Sequence, residues 1–257
     1  MYKQGKFPII EKKAIAKGVF DITIKCPEIA QVTKAGQFAQ VSAEGFFLRR
    51  PISICDIDKD IGTIRLVFEV RGKGTDKISE LNKGDLIDII APLGNGFKVL
   101  EKGKKAICIG GGIGTPPMVG IAKEYGENAT VISGFRSANA VILQEDFNCF
   151  GCKTVLCTDD GTAGIHGFVT DALKAELEAE KPEIIYACGP MPMLKAIVTM
   201  AEEYGIETQV SLEQRMACGV GACLVCVCRT VKDGKEIFSH VCTDGPVFDG
   251  KEVDFNG

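Results

Sequence analysis

The chain has 257 residues, with 12 cysteines, only 2 histidines and no tryptophan. Hydrophobic residues at 46%, charged residues at 25% and a mean hydropathy of +0.13 describe an ordered globular protein rather than a disordered one. The net charge of −4 excludes the basic footprint of a nucleic-acid-binding protein. No apolar run approaches the roughly 18 residues of a membrane span. The N-terminus shows no secretory signal, so we expect a cytoplasmic protein with reduced thiols.

The first hundred residues are predicted to form a small antiparallel β-barrel. Apolar and polar residues alternate in short runs, as in strands with one buried face, and Gly, Pro and Asp separate the runs. The predicted strands span Ala14–Lys25, Gly36–Val41, Ile61–Val70 and Asp85–Ala91. A single helix is predicted over Asp76–Asn82, and several short strands with one short helix favour a barrel.

Beyond Lys102, short apolar strands alternate with helical stretches, which predicts a doubly wound parallel sheet with helices on both faces. The predicted strands span Lys105–Ile109, Ala129–Gly134, Thr154–Thr158 and Glu183–Cys188. One helix is predicted from the glycine-rich turn to Tyr125. Two more are predicted near Thr170–Glu180 and over Met191–Tyr204, and Gly205 ends the last.

From Ser211 onward neither pattern continues. The segment is rich in glycine and cysteine and too short to build a core alone, so we expect a metal centre to hold it together. The sequence therefore predicts three units: a barrel over 1–101, an α/β nucleotide domain over 102–210 and a cluster-binding segment over 211–257.

Cysteines in this last segment have the spacing of a plant-type [2Fe–2S] site. Cys218, Cys223 and Cys226 form C-x4-C-x2-C, and Cys242 supplies a distant fourth thiolate. Interposed glycines allow the tight turns with which a loop wraps a cluster. A structural zinc site would usually show two C-x2-C hooks, of which only one is present, and buried free thiols are the other alternative.

The remaining cysteines have other predicted roles. Cys228 lies outside the C-x4-C-x2-C pattern, although it could replace Cys226 or Cys242 as a ligand. Small core hydrophobes are predicted at Cys26, Cys55, Cys108, Cys149, Cys152 and Cys157. A redox role for the lone C-x2-C formed by Cys149 and Cys152 is the alternative.

Two strand–turn–helix junctions predict a nicotinamide nucleotide site. Backbone amides and the helix dipole at such a junction can face a pyrophosphate, and open parallel sheets bind ligands beyond the carboxyl ends of their strands. Thr115 departs from the dinucleotide fingerprint at the last glycine position, and Arg136 stands near the end of the next strand where an acidic residue is usual. The predicted binding residues are Gly111, Gly112, Gly114, Thr115, Cys188, Gly189 and Pro190.

The barrel segment contains two further anion-binding candidates. An arginine fork at Arg49–Arg50 suits a pyrophosphate, and Gly74–Thr75 opens the predicted short helix. A surface salt bridge for Arg50 and an ordinary helix cap for Thr75 are the alternatives.

These motifs together resemble the ferredoxin–NADP reductase-like flavoproteins, over essentially the whole chain. The C-terminal EQRMACGVGACLVCVC, followed by CTDGPVF, resembles one branch, the electron-transfer subunits of dihydroorotate dehydrogenase B. The motifs, in the order of the superfamily, are R-P-I-S at Arg50–Ser53, G-T at Gly74–Thr75, GGGIGTPP at Gly110–Pro117, CGPMPM at Cys188–Met193 and the cysteine loop.

The resemblance implies an FAD site, with Arg50 on the pyrophosphate and the Ser53 hydroxyl near the reactive nitrogen of the flavin. It also implies that Cys218, Cys223, Cys226 and Cys242 hold [2Fe–2S]. It further implies that NAD is the nucleotide, although Arg136 leaves NADP as an alternative. The FAD site implied comprises Arg50, Pro51, Ile52, Ser53, Val67, Phe68, Glu69, Gly74 and Thr75.

Electron counting leads to the same order of cofactors. A nicotinamide exchanges two electrons as a hydride and a [2Fe–2S] cluster accepts one, so a chain that holds both needs a flavin between them. His166 and His240 are the only histidines, and we find no nucleophile–base constellation, so no catalytic residue for an organic substrate is predicted. The second substrate is expected to be oxidised on a partner near the cluster.

The resemblance implies that this partner is the FMN-containing catalytic subunit of dihydroorotate dehydrogenase, in a heterotetramer with two copies of each chain. Similar reductase subunits serve sulfite reductase, hydrogenase and bifurcating transhydrogenase, although Cys218 speaks against the transhydrogenase group. A zinc-stabilised binding protein without enzymatic activity is the alternative from another class.

Overall fold

The computed structural model describes residues 2–255. The first part is a closed antiparallel barrel with strand order β1–β2–β5–β4–β3–β6, which confirms the predicted barrel. Its elements are β1 (Lys3–Ala16), β2 (Val19–Lys25), α1 (Pro27–Ala30), β3 (Phe38–Val41), β4 (Arg50–Asp58), β5 (Thr63–Glu69), α2 (Lys73–Ser79) and β6 (Leu86–Leu93). Alternate strand residues fill the barrel with branched side chains that are at most 1% exposed, namely Ile22, Ile54, Ile64, Leu66 and Ile89.

Three barrel elements differ from the prediction. The single strand predicted over Ala14–Lys25 is a hairpin, because Gly18 takes a φ of +73° and turns the chain between β1 and β2. Strand β4 was not predicted, since its Arg-Arg-Pro start interrupts the alternating pattern. Helix α2 begins at Lys73, three residues before the predicted start.

The second part is a seven-stranded sheet of order β10–β9–β8–β7–β11–β12–β15, parallel from β10 to β12. None of the helices within residues 2–255 is long and apolar enough to cross a membrane. The elements up to β12 are β7 (Ala106–Gly111), α3 (Pro116–Tyr125), β8 (Ala129–Phe135), α4 (Gln144–Cys149), β9 (Lys153–Thr158), β10 (Ile165–His166), α5 (Val169–Ala179), β11 (Ile184–Cys188), α6 (Met191–Glu203) and β12 (Glu207–Ser211).

Helices cover both faces of this sheet, which confirms the doubly wound prediction. Helices α3 and α4 pack on the face that carries Cys108 and Val131, whereas α5 and α6 pack on the face that carries Ile109 and Ile132. Strand order reverses between β7 and β11, so the carboxyl ends of these two strands form the switch point where such sheets bind ligands.

The C-terminal part contains strands that the sequence patterns did not predict. Strands β13 (Val227–Lys232) and β14 (Lys235–His240) form a hairpin. Asp233 and Gly234 close it with φ values of +51° and +73°, the conformation of the tight hairpin turn that Asp-Gly favours. Strand β15 (Val247–Asp249) then pairs antiparallel with β12 and extends the central sheet. The predicted domain boundaries stay predictions.

Cysteine burial agrees with the predicted core role at five of six positions. Cys26, Cys55, Cys108, Cys152 and Cys157 are buried and free. The prediction is wrong for Cys149, which is exposed because α4 buries Phe147 and turns its last residue to solvent. Burial raises the pKa of the Cys152 thiol to about 11, which does not favour a redox role for this C-x2-C.

Ion pairs fix the barrel against the α/β sheet. Arg65 of β5 donates from Nε to both carboxylate oxygens of Asp21 at 3.0 and 2.9 Å, and its Nη1 pairs with Asp146 of α4. Lys123 of α3 lies 2.9 Å from Asp56 of β4. Burial opposes the charge of Arg65, but its hydrogen bonds to the carboxylates of Asp21 and Asp146 raise its pKa and keep it protonated.

We expect Arg65→Met to lower the free energy of unfolding by about 3 kcal/mol, because it leaves two largely buried carboxylates without a partner. Urea unfolding of the cofactor-loaded protein measures the change. The exposed pair of Lys13 with Glu11 gives the control, and Lys13→Met should have little effect. Equal effects of the two substitutions would contradict the special role of Arg65.

Candidate functional site

A cavity of about 1040 Å³ opens at the carboxyl ends of β7, β8, β9 and β11. Both predicted junctions contribute to it, although they are more than 70 residues apart in the chain. Glu69 and Arg71, at the end of β5 of the barrel, line the same cavity. The predicted residues on its wall are Gly111, Gly112, Gly114, Gly189 and Pro190.

The two glycine turns touch each other at Gly114. A Cβ atom there would run into the backbone carbonyl of Cys188, so only glycine allows this approach. Thr115 and Cys188 are predicted binding residues that the structure buries behind the wall, at 0% and 2% exposure. The Thr115 hydroxyl has no hydrogen-bond partner among the described residues. Pro116 begins α3 directly after the turn, because the fixed φ of proline suits the first position of a helix.

Cys188 sits in an environment that keeps its thiol neutral. Burial and the nearby carboxylate of Glu213 raise the pKa of Cys188 to about 12. Glu213 itself lines the cavity from the segment after β12. Sequence reasoning missed this residue, because β12 and β11 meet only through the parallel pairing of the sheet.

Asp159 is a second residue that the sequence analysis missed. It follows β9 and lines the cavity together with Arg136, which follows β8. The acidic residue that the fingerprint places after the second strand stands here after the third. Two adjacent strand ends therefore present one carboxylate and one guanidinium to the same ligand.

The barrel residues expected to bind FAD lie on β4, β5 and the start of α2. The Arg50 guanidinium packs directly against Gly74 and lies 5.1 Å from the ring of Phe46. A guanidinium beside the positive end of a helix is favourable only with an anion between them, so the cradle fits a pyrophosphate. Within residues 2–255 Arg50 pairs with no carboxylate, and it donates to the carbonyl of Leu48 at 2.5 Å, so the salt-bridge alternative is not supported.

Thr75 behaves as the ordinary capping residue considered above. Its hydroxyl accepts from the backbone N–H groups of Arg71 at 3.0 Å and Gly72 at 3.3 Å, and it donates to the carbonyl of Gly72. The start of α2 can thus offer backbone N–H groups to a phosphate, while the Thr75 hydroxyl holds the turn in shape.

The strand alternation divides the other expected FAD residues between two faces. Ile52 and Phe68 point into the barrel core, whereas Val67 packs on the α/β side and Ser53 is half-buried on the outer face. Glu69 reaches the nucleotide cavity. Pro51 is exposed. The role of each as a flavin contact stays a prediction.

The four predicted cluster ligands lie together as two pairs. The N–H of Cys223 points at Sγ of Cys218 over 3.4 Å, and the N–H of Cys242 points at Sγ of Cys226 over 3.4 Å. Cys218 also accepts from the N–H of Val220 at 3.4 Å. Such donors stabilise thiolates, and two thiolate pairs suit the two irons of [2Fe–2S].

Backbone conformation shapes this loop around its sulfur atoms. Gly219 and Gly221 take φ values of +72° and +84°, which only glycine adopts readily. Within residues 2–255 no three His, Cys, Asp or Glu side chains converge to hold a single metal ion.

The two pairs differ in burial. Cys226 and Cys242 are buried in the main core, while Cys218 is half-buried and Cys223 is exposed. Burial and the neighbouring Cys226 raise the pKa of Cys242 to about 12. Burial acts in the same direction on Cys218, but hydrogen bonds from the loop outweigh it and lower its pKa to about 7.

Cys228 stands apart from the loop. It lies in β13 opposite Ser239, and burial raises the pKa of its thiol to about 11. Its place in the hairpin supports the ligand set without Cys228.

Two family models match the chain. One describes the iron–sulfur cluster binding domain of dihydroorotate dehydrogenase B and matches residues 213–254, and the other describes an oxidoreductase NAD-binding domain and matches residues 108–199.

Full-length relatives carry one name, "dihydroorotate dehydrogenase B (NAD(+)), electron transfer subunit". The relative from Geobacillus sp. (strain WCH70) is 38% identical over 98% of this chain and 99% of its own. Those from Listeria monocytogenes serotype 4b (strain F2365) and Fusobacterium nucleatum are 40% and 39% identical, over 97% and 95% of this chain and 98% and 96% of their own. The chain belongs to this family of electron transfer subunits. The resemblance in the sequence motifs is thereby confirmed.

Solved structures agree with the family. A NADH-dependent reduced ferredoxin–NADP oxidoreductase, studied for flavin-based electron bifurcation, is similar with a TM-score of 0.86 and 32% identity, covering 99% of this chain and 91% of that chain. A cytochrome P450 reductase from Amycolatopsis has a TM-score of 0.68 at 22% identity, covering 79% and 66%, and shares the fold alone.

We expect Cys223→Ser to remove the cluster, from about two irons per chain to none, because a thiolate ligand is lost. Reduction of the flavin by NADH should continue, since the nucleotide cavity lies elsewhere. Iron and labile-sulfide analysis with the visible spectrum measures both. Cys149→Ser, at the exposed cysteine outside the loop, is the control, and unchanged iron in Cys223→Ser would contradict the ligand assignment.

Asp159→Asn should improve the use of NADPH relative to NADH several-fold, because a carboxylate beside the cavity repels the additional phosphate. Steady-state kcat/KM for both nucleotides with an artificial acceptor measures the ratio. Asp160→Asn is the matched control, since Asp160 is the adjacent residue but bonds to Thr162. If both variants shift the ratio equally, Asp159 does not select the nucleotide.

Proposed function

We propose that this chain passes electrons from dihydroorotate, oxidised on a catalytic partner subunit, through [2Fe–2S] and FAD to NAD+ in pyrimidine biosynthesis. The observation that carries the proposal is that one barrel contributes to the nucleotide cavity, to the anion cradle and to the contact with the cysteine loop. Its β5 end lines the nucleotide cavity, its β4 and α2 form the anion cradle, and its β3 contacts the cysteine loop.

The cofactors supply the electron chemistry: bound FAD links the two-electron exchange of NAD with the one-electron exchange of the cluster. The residues of the chain bind and orient. The glycine turns after β7 and β11 offer backbone to the nucleotide, Arg50 neutralises the pyrophosphate, and Cys188 keeps a proton on its sulfur behind the cavity wall. None of the residues on the cavity wall is a histidine. Proton abstraction from dihydroorotate is therefore assigned to the partner.

The partner is proposed to dock on the exposed side of the cysteine loop. Leu224 and Val225, directly after the exposed Cys223, are 60% and 50% exposed. Exposed apolar side chains in one patch are typical of an interaction surface. Docking there brings the partner close to the solvent-facing pair of ligands, and we propose a heterotetramer with two copies of each chain.

A reductase subunit for another partner is the second candidate. The 32% identity to the ferredoxin–NADP oxidoreductase over nearly the full chain favours it. The higher identity of the dihydroorotate dehydrogenase B relatives and the cysteine at position 218 favour the first candidate.

A cytoplasmic location is part of the proposal. All twelve cysteines are free, as expected in a reducing compartment, and an iron–sulfur site with an exposed ligand requires reduced thiols.

We expect the isolated chain to oxidise NADH with an artificial acceptor but to leave dihydroorotate unchanged. With the catalytic subunit, dihydroorotate should reduce NAD+, because the electrons then have a complete route. Absorbance at the NADH band follows both reactions. Turnover of dihydroorotate by the isolated chain would falsify this division of labour, and so would a complex that reduces no NAD+.

A further inference from the structure

Gln40 is a buried amide whose hydrogen-bonding groups are not satisfied by the protein. Its side chain has 0% exposure, and its Oε1 has no partner among the described residues. Its Nε2 has the weakly accepting sulfur of Met216 at 3.9 Å. Buried amides are nearly always hydrogen-bonded, so such a group in a native fold requires an explanation.

The strand places Gln40 on the outer face of the barrel. Its neighbours Ala39 and Val41 belong to the barrel core, so Gln40 points the other way. Across the ladder it lies opposite Pro51 of the R-P-I-S motif, and side chains directly opposite each other share a face. Gln40 therefore stands on the same outer face as the motif expected to bind the flavin.

The other side of Gln40 meets the cysteine loop. A Cβ atom on Gly219 would lie 2.5 Å from Nε2 and 2.6 Å from Cγ of Gln40, so the loop backbone packs directly on this side chain. Gly219 follows Cys218, whose sulfur accepts from Val220. A movement of Gln40 would consequently move the loop that carries the first cluster ligand.

Phe38, two residues earlier on β3, extends the same contact. It lies opposite Ser53 and belongs to the core that contains Cys226 and Cys242. Apolar packing at Phe38 thus joins the barrel to the buried ligand pair, while the side chain of Gln40 contacts Gly219 beside the half-buried Cys218. If the contact at position 40 were purely structural, an apolar side chain would be more stable there, because no protein partner offsets the burial of the Gln40 amide.

We propose that Gln40 is a positioning residue for electron transfer. Gln40 holds the cysteine loop against the strand expected to bind the flavin, and the bound cofactors complete the hydrogen bonds of the Gln40 amide. Hydrogen bonds toward cluster sulfur and exclusion of solvent both set the reduction potential of a cluster. The inference rests on the proposed function, because it requires FAD and the cluster in this chain.

The test compares the complex with its catalytic subunit as wild type, Gln40→Leu and Gln40→Asn. Leucine keeps the volume and removes the amide, whereas asparagine keeps the amide on a shorter chain. Gln37→Leu is the matched control, since Gln37 is half-buried just before β3, donates to Gly94 at 2.6 Å and accepts from Lys34 at 2.8 Å. Rapid mixing with NADH measures flavin reduction and then cluster reduction, and EPR records the reduced cluster.

We expect Gln40→Leu to slow cluster reduction several-fold and to shift the EPR signal, with a smaller effect on flavin reduction by NADH. Gln40→Asn should lie between this variant and wild type, and Gln37→Leu should affect neither readout. Loss of iron from Gln40→Leu with FAD retained also supports the proposal, provided that the control keeps its iron.

Wild-type rates and an unchanged EPR signal in loaded Gln40→Leu would overturn the proposal. Joint loss of FAD and iron would do the same, because it would show that Gln40 serves only the folding of the barrel. A wild-type complex in which NADH reduces the flavin but never the cluster would instead contradict the proposed function, before any variant is compared.

Discussion

The seating of the barrel on the α/β sheet is the constraint on which the whole arrangement depends. Helix α3 approaches β4 closely at Gly120, where a Cβ atom would be 3.3 Å from the carbonyl of Cys55. Arg65 adds a largely buried ion pair to each side of this junction. With the barrel held in this way, the end of β5 reaches into the nucleotide cavity and β3 reaches the cysteine loop. One rigid body can then keep three cofactors at fixed separations.

The order of the binding sites along the electron path follows from how the cysteine loop is buried. Cys226 and Cys242 sit in the core that also contains Phe38 of the barrel, and Cys223 faces solvent among exposed apolar side chains. The loop therefore has an inner side toward the flavin-bearing strands and an outer side free for a partner. The nucleotide cavity opens elsewhere, at the strand ends of the sheet. NAD and the partner subunit can thus occupy their sites at the same time.

Local patterns were enough for most elements and failed where a pattern was interrupted. Four of the six parallel strands are continuous apolar runs, and their predicted limits differ from the structure by at most two residues, whereas β10 and β12 were not predicted. Strand β4 escaped prediction because proline and two arginines begin it, although its later residues are buried in the barrel. The hairpin of β13 and β14 has Asp233–Gly234 at its turn, a pair typical of hairpins, although no hairpin was predicted in this cysteine-rich segment. Cys149 was predicted to be a core residue because its stretch of chain is apolar or strand-like, but the stretch forms α4, which buries Phe147 and turns Cys149 outward.

The sequence by itself determined both glycine turns and the family and predicted the cysteine ligand set, because these depend on residue type and short spacing along the chain. Only the tertiary structure decided which distant residues join them. Asp159, Glu213 and Gln40 come from the end of β9, the loop after β12 and a barrel strand, and nothing local marks them. Their roles arise from parallel strand pairing and from the contact between barrel and loop. Such contacts are set by packing over long sequence separations, which residue patterns do not encode.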